Sequence, residues 1–147
     1  MPVPGVPAVM LPVSLTFAGA LALVALWLAF RVSRLRMSSK VSIGDGGNPL
    51  LIARMRAQAN FVEYTPFVLI LMALIEMAGG SAWWLRGVGV LYVVARVLHA
   101  FGMDKATMPN PLRAIGALAT WAVLLGLAIW SIWLASHVPA APALHYL

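Results

Sequence analysis

Residues 112–135 read LRAIGALATWAVLLGLAIWSIWLA, with a single charge, Arg113, near the start. The hydrocarbon core of a bilayer takes about 20 mostly apolar residues in helical form, and this stretch supplies them. Its apolar residues do not alternate with polar ones, so it does not read as a barrel strand, and lipid admits only helices and closed barrels because backbone groups must find partners within the protein. Working outward, Trp83 to Phe101, Phe61 to Ala78 and Val13 to Phe30 read the same way.

The composition agrees. Of 147 residues, 63% are hydrophobic and 10% charged, with a mean hydropathy of +0.94, far from the balance of a water-soluble domain. The expected architecture is all-α: an integral membrane four-helix bundle forming a single membrane domain over residues 1–147, with helices near residues 13–36, 49–78, 82–103 and 112–136. The first apolar stretch does not read as a cleaved signal. Nothing basic precedes it, and Met1 to Pro12 carries prolines at 2, 4, 7 and 12, so helix 1 is read as retained.

A net charge of +6 in a soluble protein would suggest nucleic acid, but here the charges follow the connections. Arg31, Arg34, Arg36, Lys40, Arg54 and Arg56 lie between the first two spans, and Lys105 and Arg113 lie between the last two. By the positive-inside rule both connections face the cytoplasm, which places both termini on the other side. Compact loops and an Ala, Leu and Gly-rich composition point to a bacterial inner membrane. No nucleic-acid partner is expected.

The chain has no cysteine, so it has neither a thiol nucleophile nor a thiolate metal site of its own. Any sulfur chemistry must use a thiol brought by a substrate. His99, His137 and His145 are too scattered for metal-ligand spacing, and no metal is expected. No repeat, Walker loop or dinucleotide fingerprint is present.

The second span carries the most chemistry. Residues 54–64, RMRAQANFVEY, run into the apolar segment without a helix breaker. A continuous helix from Pro49 to Ala78 would be roughly 45 Å long against a hydrocarbon core of about 30 Å, so its first turns should stand in the headgroups. Arg56, Asn60 and Glu63 fall on one helical face, and Arg54 and Gln58 on roughly the opposite one. A second polar face predicts contact with another subunit, or with a ligand shared between subunits. In the third span Arg96, His99 and Met103 align toward the same end, and Arg113 follows Pro109-Asn110-Pro111 there. Together these groups outline a basic pocket with one acid, Glu63.

Plainer roles suit other residues. Arg31, Arg34, Arg36 and Lys40 read as topology and headgroup anchors, Glu76 and Arg86 as interfacial, Tyr92 and the tryptophans as packing or belt residues, and Pro66 as a tolerated kink. His99 taken alone reads as a structural histidine, and an Arg56–Glu63 pair could serve as structural glue.

The segment from Arg56 to Pro66, RAQANFVEYTP, with the pattern R-x-Q-x-N-x-x-E-x-x-P, resembles the second-helix signature of the MAPEG superfamily, the membrane-associated proteins of eicosanoid and glutathione metabolism. Ala95 to His99 with Gly102 resembles the family's third helix, and Pro111-Leu112-Arg113 the start of its fourth. The resemblance implies a homotrimer that holds glutathione between subunits at the cytoplasmic end. By position, Arg56, Asn60, Glu63 and Tyr64 would bind it from one subunit and Gln58 from the next. Arg96 and His99 would line the site, and Arg113 would stabilise the thiolate as the catalytic residue. Two positions depart from the pattern: Met103 stands where several eicosanoid-making relatives have tyrosine, and Ala53 stands where some have arginine.

The chemistry is consistent with that implication. Glutathione carries two carboxylates and an ammonium, which suit arginines and Glu63 respectively. A cation beside its thiol favours the reactive thiolate. The expected function is conjugation or reduction of lipophilic electrophiles, a glutathione transferase with possible peroxidase activity, acting beside membrane lipids. Two other functions are weighed. One is a non-enzymatic lipid-binding or scaffold protein of the same superfamily. The other is a four-helix multidrug exporter, disfavoured because its expected acid in helix 1 is missing.

Overall fold

A computed structural model describes residues 10–105 and 109–137. Within them the chain forms α1 (Pro12–Ser39), α2 (Pro49–Met77), α3 (Ala82–Met103) and α4 (Pro111–His137), and no strand among the described residues. All four helices are long and apolar enough to cross a membrane.

Three of the helices start on a side-chain cap that is either local or borrowed. Asn48 caps α2, its side chain accepting from the Leu50 and Leu51 backbone N–H groups, with Pro49 in the first turn, where a missing N–H costs nothing. Asn110 does the same for α4, accepting from the Arg113 N–H at 3.2 Å. The start of α1 has no such neighbour. There the cap comes from the far end of α2: Glu76 accepts from the Val13 N–H at 2.9 Å, the Ser14 N–H at 2.8 Å and the Ser14 hydroxyl at 2.6 Å. A carboxylate at a helix N-terminus satisfies orphan donors and complements the dipole, so a residue that reads as merely interfacial closes the α1–α2 hairpin.

The helices pack in a fixed order. α1 lies against α2 and α3, α4 lies against α3 and α2, and α2 meets α3 in the middle, whereas α1 and α4 do not meet. The core follows one stripe per helix, with Leu21 and Leu28 of α1, Val68 and Met72 of α2, Leu85 and Tyr92 of α3 and Leu127 of α4 all buried. The Tyr92 hydroxyl finds a partner in the Thr65 hydroxyl at 3.0 Å. Outward, Leu23, Leu26, Phe67, Ile70, Leu125 and Ile129 are exposed, the surface expected of helices solvated by lipid.

Lipid tails are as apolar as leucine, so close packing rather than hydrophobic burial holds such helices together. The α3–α4 contact shows how. A Cβ on Gly116 would lie 2.7 Å from both the Ala95 carbonyl oxygen and the His99 nitrogen, and one on Gly102 would run into the Arg113 backbone. Glycine at these two positions lets the start of α4 press against the end of α3, which fixes where Arg113 emerges.

Candidate functional site

The α1–α2 and α3–α4 connections lie at one end of the bundle, and the ionisable residues concentrate there. Asp104, one residue beyond α3, organises the inner side of this end. It accepts from the Arg54 Nε at 3.2 Å and pairs with the Arg31 guanidinium, which also donates to the Ala100 carbonyl at 3.3 Å. Arg54 in turn donates to the Arg31 carbonyl. Arg31 lies 4.7 Å from the Trp27 ring and 5.7 Å from that of Phe101, where its cation gains from the aromatic faces. Three helices are thus joined through one carboxylate.

This arrangement corrects three expectations. Glu63 is not the one acid among the basic groups at this end, because Asp104 stands between Arg31 and Arg54. Arg54 turns into its own chain to meet that acid, so the second polar face of α2 is accounted for in part without a neighbour. Arg31 likewise does more than anchor the chain at the headgroups.

The residues singled out from the sequence fall into two groups. Arg96 and His99 are buried. Arg96 donates to the Thr120 hydroxyl of α4 at 3.2 Å, its guanidinium carbon lies 5.8 Å from the Phe61 ring, and Glu63, Tyr64 and Tyr92 are within electrostatic reach of it. Its Nε has no hydrogen-bond partner among the described residues. His99 donates from Nδ1 to the Arg113 carbonyl at 3.4 Å, tying α3 to the first turn of α4. Tyr64, half-buried, accepts from the Trp121 indole N–H at 3.2 Å.

The other group faces outward. Arg56 and Glu63 are exposed on α2, with Gln58 and Asn60 half-buried between them in sequence. Arg113 is also exposed and lines a cleft of about 440 Å³ with Pro109, Asn110, Pro111, Ala114 and Ala117. Arg56, Asn60 and Glu63 do not line that cleft.

Three participants escape a reading of the sequence alone. Asp104 is one of only four acids in the chain, and that scarcity is the signal that marks it. Asn110 joins the two helices, its amide donating to the Lys105 carbonyl at 3.2 Å and to the Gly102 carbonyl; an asparagine before proline is a helix-start signal. Thr120 looks unremarkable in an apolar helix, and only its contact with Arg96 marks it.

Comparison with known proteins assigns the scaffold. The MAPEG family profile matches residues 14–133, which reaches into all four helices and includes Arg56, Gln58, Asn60, Glu63, Tyr64, Arg96, His99 and Arg113. The chain belongs to the MAPEG family. Inner membrane protein YecN of Escherichia coli strain K12 is 34% identical over 121 residues, spanning 82% of this chain and 91% of YecN. The same protein of Escherichia coli O6:H1 strain CFT073 matches equally. With four membrane-capable helices and this kinship, the chain is an integral membrane protein, and the RAQANFVEYTP segment of α2 sits inside the MAPEG match.

Proposed function

We propose that this MAPEG protein is a glutathione transferase that acts as a homotrimer and conjugates or reduces lipophilic electrophiles at the cytoplasmic face of a bacterial inner membrane. The observation that carries the reading is the outward row on α2, where Arg56 and Glu63 are exposed and Asn60 half-exposed on a helix long enough to cross a bilayer. Charged groups are costly at membrane depth unless they meet protein, water or a ligand. A neighbouring subunit laid against this row would bury it, with Gln58 reaching a site shared across the interface and Arg113 completing it. The kinship with YecN, an inner membrane protein of Escherichia coli, supports the membrane assignment.

The residues suit the ligand. Arg56 offers a planar fork to a glutathione carboxylate, Asn60 both donates and accepts, and Glu63 matches the ammonium. Arg96 lies behind this face as a buried cation, and Tyr64 contributes its hydroxyl at the α2–α4 boundary. Arg113 holds the thiol as a thiolate after its proton passes to water. The sulfur then bonds to the electrophilic carbon, and the leaving group departs with the bonding pair. Holding thiolate and lipid-borne electrophile together supplies proximity, and the fixed cation stabilises charge at sulfur.

The test is glutathione binding by calorimetry to the purified wild-type protein, with subunit number measured by native mass spectrometry in the same detergent. Trimers that bind glutathione and show ultraviolet thiolate absorbance, lost in Arg113→Met, are expected. Binding without a thiolate signal would leave the non-enzymatic lipid-binding reading in its place, and a monomer that binds no glutathione would overturn the proposal.

A further inference from the structure

The α1–α2 connection carries a second basic feature, distinct from the α2 row. A cleft of about 490 Å³ is lined by Ser33, Arg36, Met37, Lys40, Val41 and Ser42. Its shape comes from the end of α1: Lys40 takes a left-handed conformation with φ of 54°, and its N–H closes the last turn on Arg36 and Met37 carbonyls. The chain then folds back, so that Val41 and Ser42 face the last turn of the helix. Arg36 is steadied by the Ser42 carbonyl at 3.5 Å and the Met55 sulfur at 3.3 Å. Those partners carry no formal charge, and among the described residues neither Arg36 nor Lys40 has a carboxylate within salt-bridge distance. Asp45, the acid of this connection, accepts from the Gly47 N–H at 2.8 Å.

From this lining we infer an anionic-lipid site at the α1–α2 connection, with the headgroup phosphate held by Arg36 and Lys40 and the hydroxyls of Ser33 and Ser42. Two cations and two hydroxyls in one concavity match a phosphodiester, which accepts through several oxygens. The apolar share of the lining, Met37 and Val41, has no use for a free anion but suits the glycerol and first methylenes of a lipid. Met37 and Ile43 are 70% and 90% exposed beside the cations, at the end of a helix whose lipid-facing side includes exposed Phe30. Basic clusters at this depth attract anionic lipids, and here the folded-back connection makes the cluster concave. The site does not depend on glutathione and shares no residue with the proposed glutathione site.

Native mass spectrometry of the detergent-solubilised protein, titrated with phosphatidylglycerol or phosphatidylcholine, tests it. We expect preferential retention of phosphatidylglycerol, reduced roughly thirtyfold in Arg36→Gln/Lys40→Gln by the loss of two cations and unchanged in Arg86→Gln, which removes an exposed cation near the start of α3. Equal retention of the two lipids, or no loss in the double variant, overturns the site. Displacement of the lipid by equimolar glycerol phosphate or inorganic phosphate also overturns it, since that marks a free-anion pocket. Should the double variant not fold, hydrogen exchange on the wild-type protein decides. Slower exchange at residues 36–42 in vesicles containing phosphatidylglycerol than in pure phosphatidylcholine is expected, and identical exchange sinks the inference.

Discussion

The Glu76 carboxylate accepts both the backbone N–H and the hydroxyl of Ser14, sixty-two positions earlier in the chain. The end of α2 thereby supplies the cap that the start of α1 lacks. Replacement by glutamine keeps the size but weakens three charge-assisted bonds, from the Val13 N–H, the Ser14 N–H and the Ser14 hydroxyl, and replacement by alanine removes them. Loss of a cap costs about 1 kcal/mol, and a little more is expected here because the acceptor is charged. Glu76→Ala should therefore melt several degrees lower in detergent than Glu76→Gln, which should itself melt below wild type. Equal melting of all three would show that the contact contributes nothing.

Asp104 holds Arg31 and Arg54 together. Asp104→Asn leaves two half-buried guanidinium groups without their carboxylate. One-sided loss costs about 3–5 kcal/mol in a fully buried pair, and solvent screening at a carboxylate one quarter exposed brings the expected loss below that range. Because Arg31 and Arg54 would then repel each other, Arg54→Gln introduced into Asp104→Asn should restore part of the stability. Chemical denaturation of the single and double variants measures this coupling, and simple additivity would argue against a shared network.

The α3–α4 seam should distinguish two glycines of α4. Gly116→Ala forces a methyl into the Ala95 and His99 backbone and should destabilise by about 1–3 kcal/mol. Nothing lies within 4 Å of a Cβ at Gly126, so Gly126→Ala should be neutral or mildly stabilising through helix propensity, about 1 kcal/mol at most. Thermal unfolding in one detergent compares them directly.

For the proposed transferase, Arg113→Met should lower turnover with a model electrophile by at least tenfold. An unassisted thiol ionises at about pH 8.5, and a neighbouring cation lowers that value. Without the cation the rate should recover as pH rises, so the variant's deficit is expected to shrink in alkaline buffer. A constant deficit across pH would mean that Arg113 does not act on thiol ionisation.

What could be read from the sequence divides along physical lines. The spans were legible because a lipid solvent demands long apolar helices and tolerates little else, and residues 112–135 meet that demand almost alone. Faces were legible too, since Arg56, Asn60 and Glu63 align by helical period whatever surrounds them. Partners were not. Whether Arg54 points to a neighbour or to Asp104 depends on how α3 lies against α2, which no local pattern encodes. The Glu76 cap and the Thr120–Arg96 bond were hidden for the same reason. Arg56 does not line the cleft that Arg113 lines, and the sequence could name both residues but not say how they lie relative to each other.

The cap on α1 also sets an order of assembly. The first turn of α1 is threaded early, yet the carboxylate that satisfies its amides arrives only when the end of α2 has crossed. Until then those N–H groups must remain in contact with water or headgroups. A nascent chain arrested before Glu76 should therefore hold its first span frayed and shallow, and release of the second span should draw it into register.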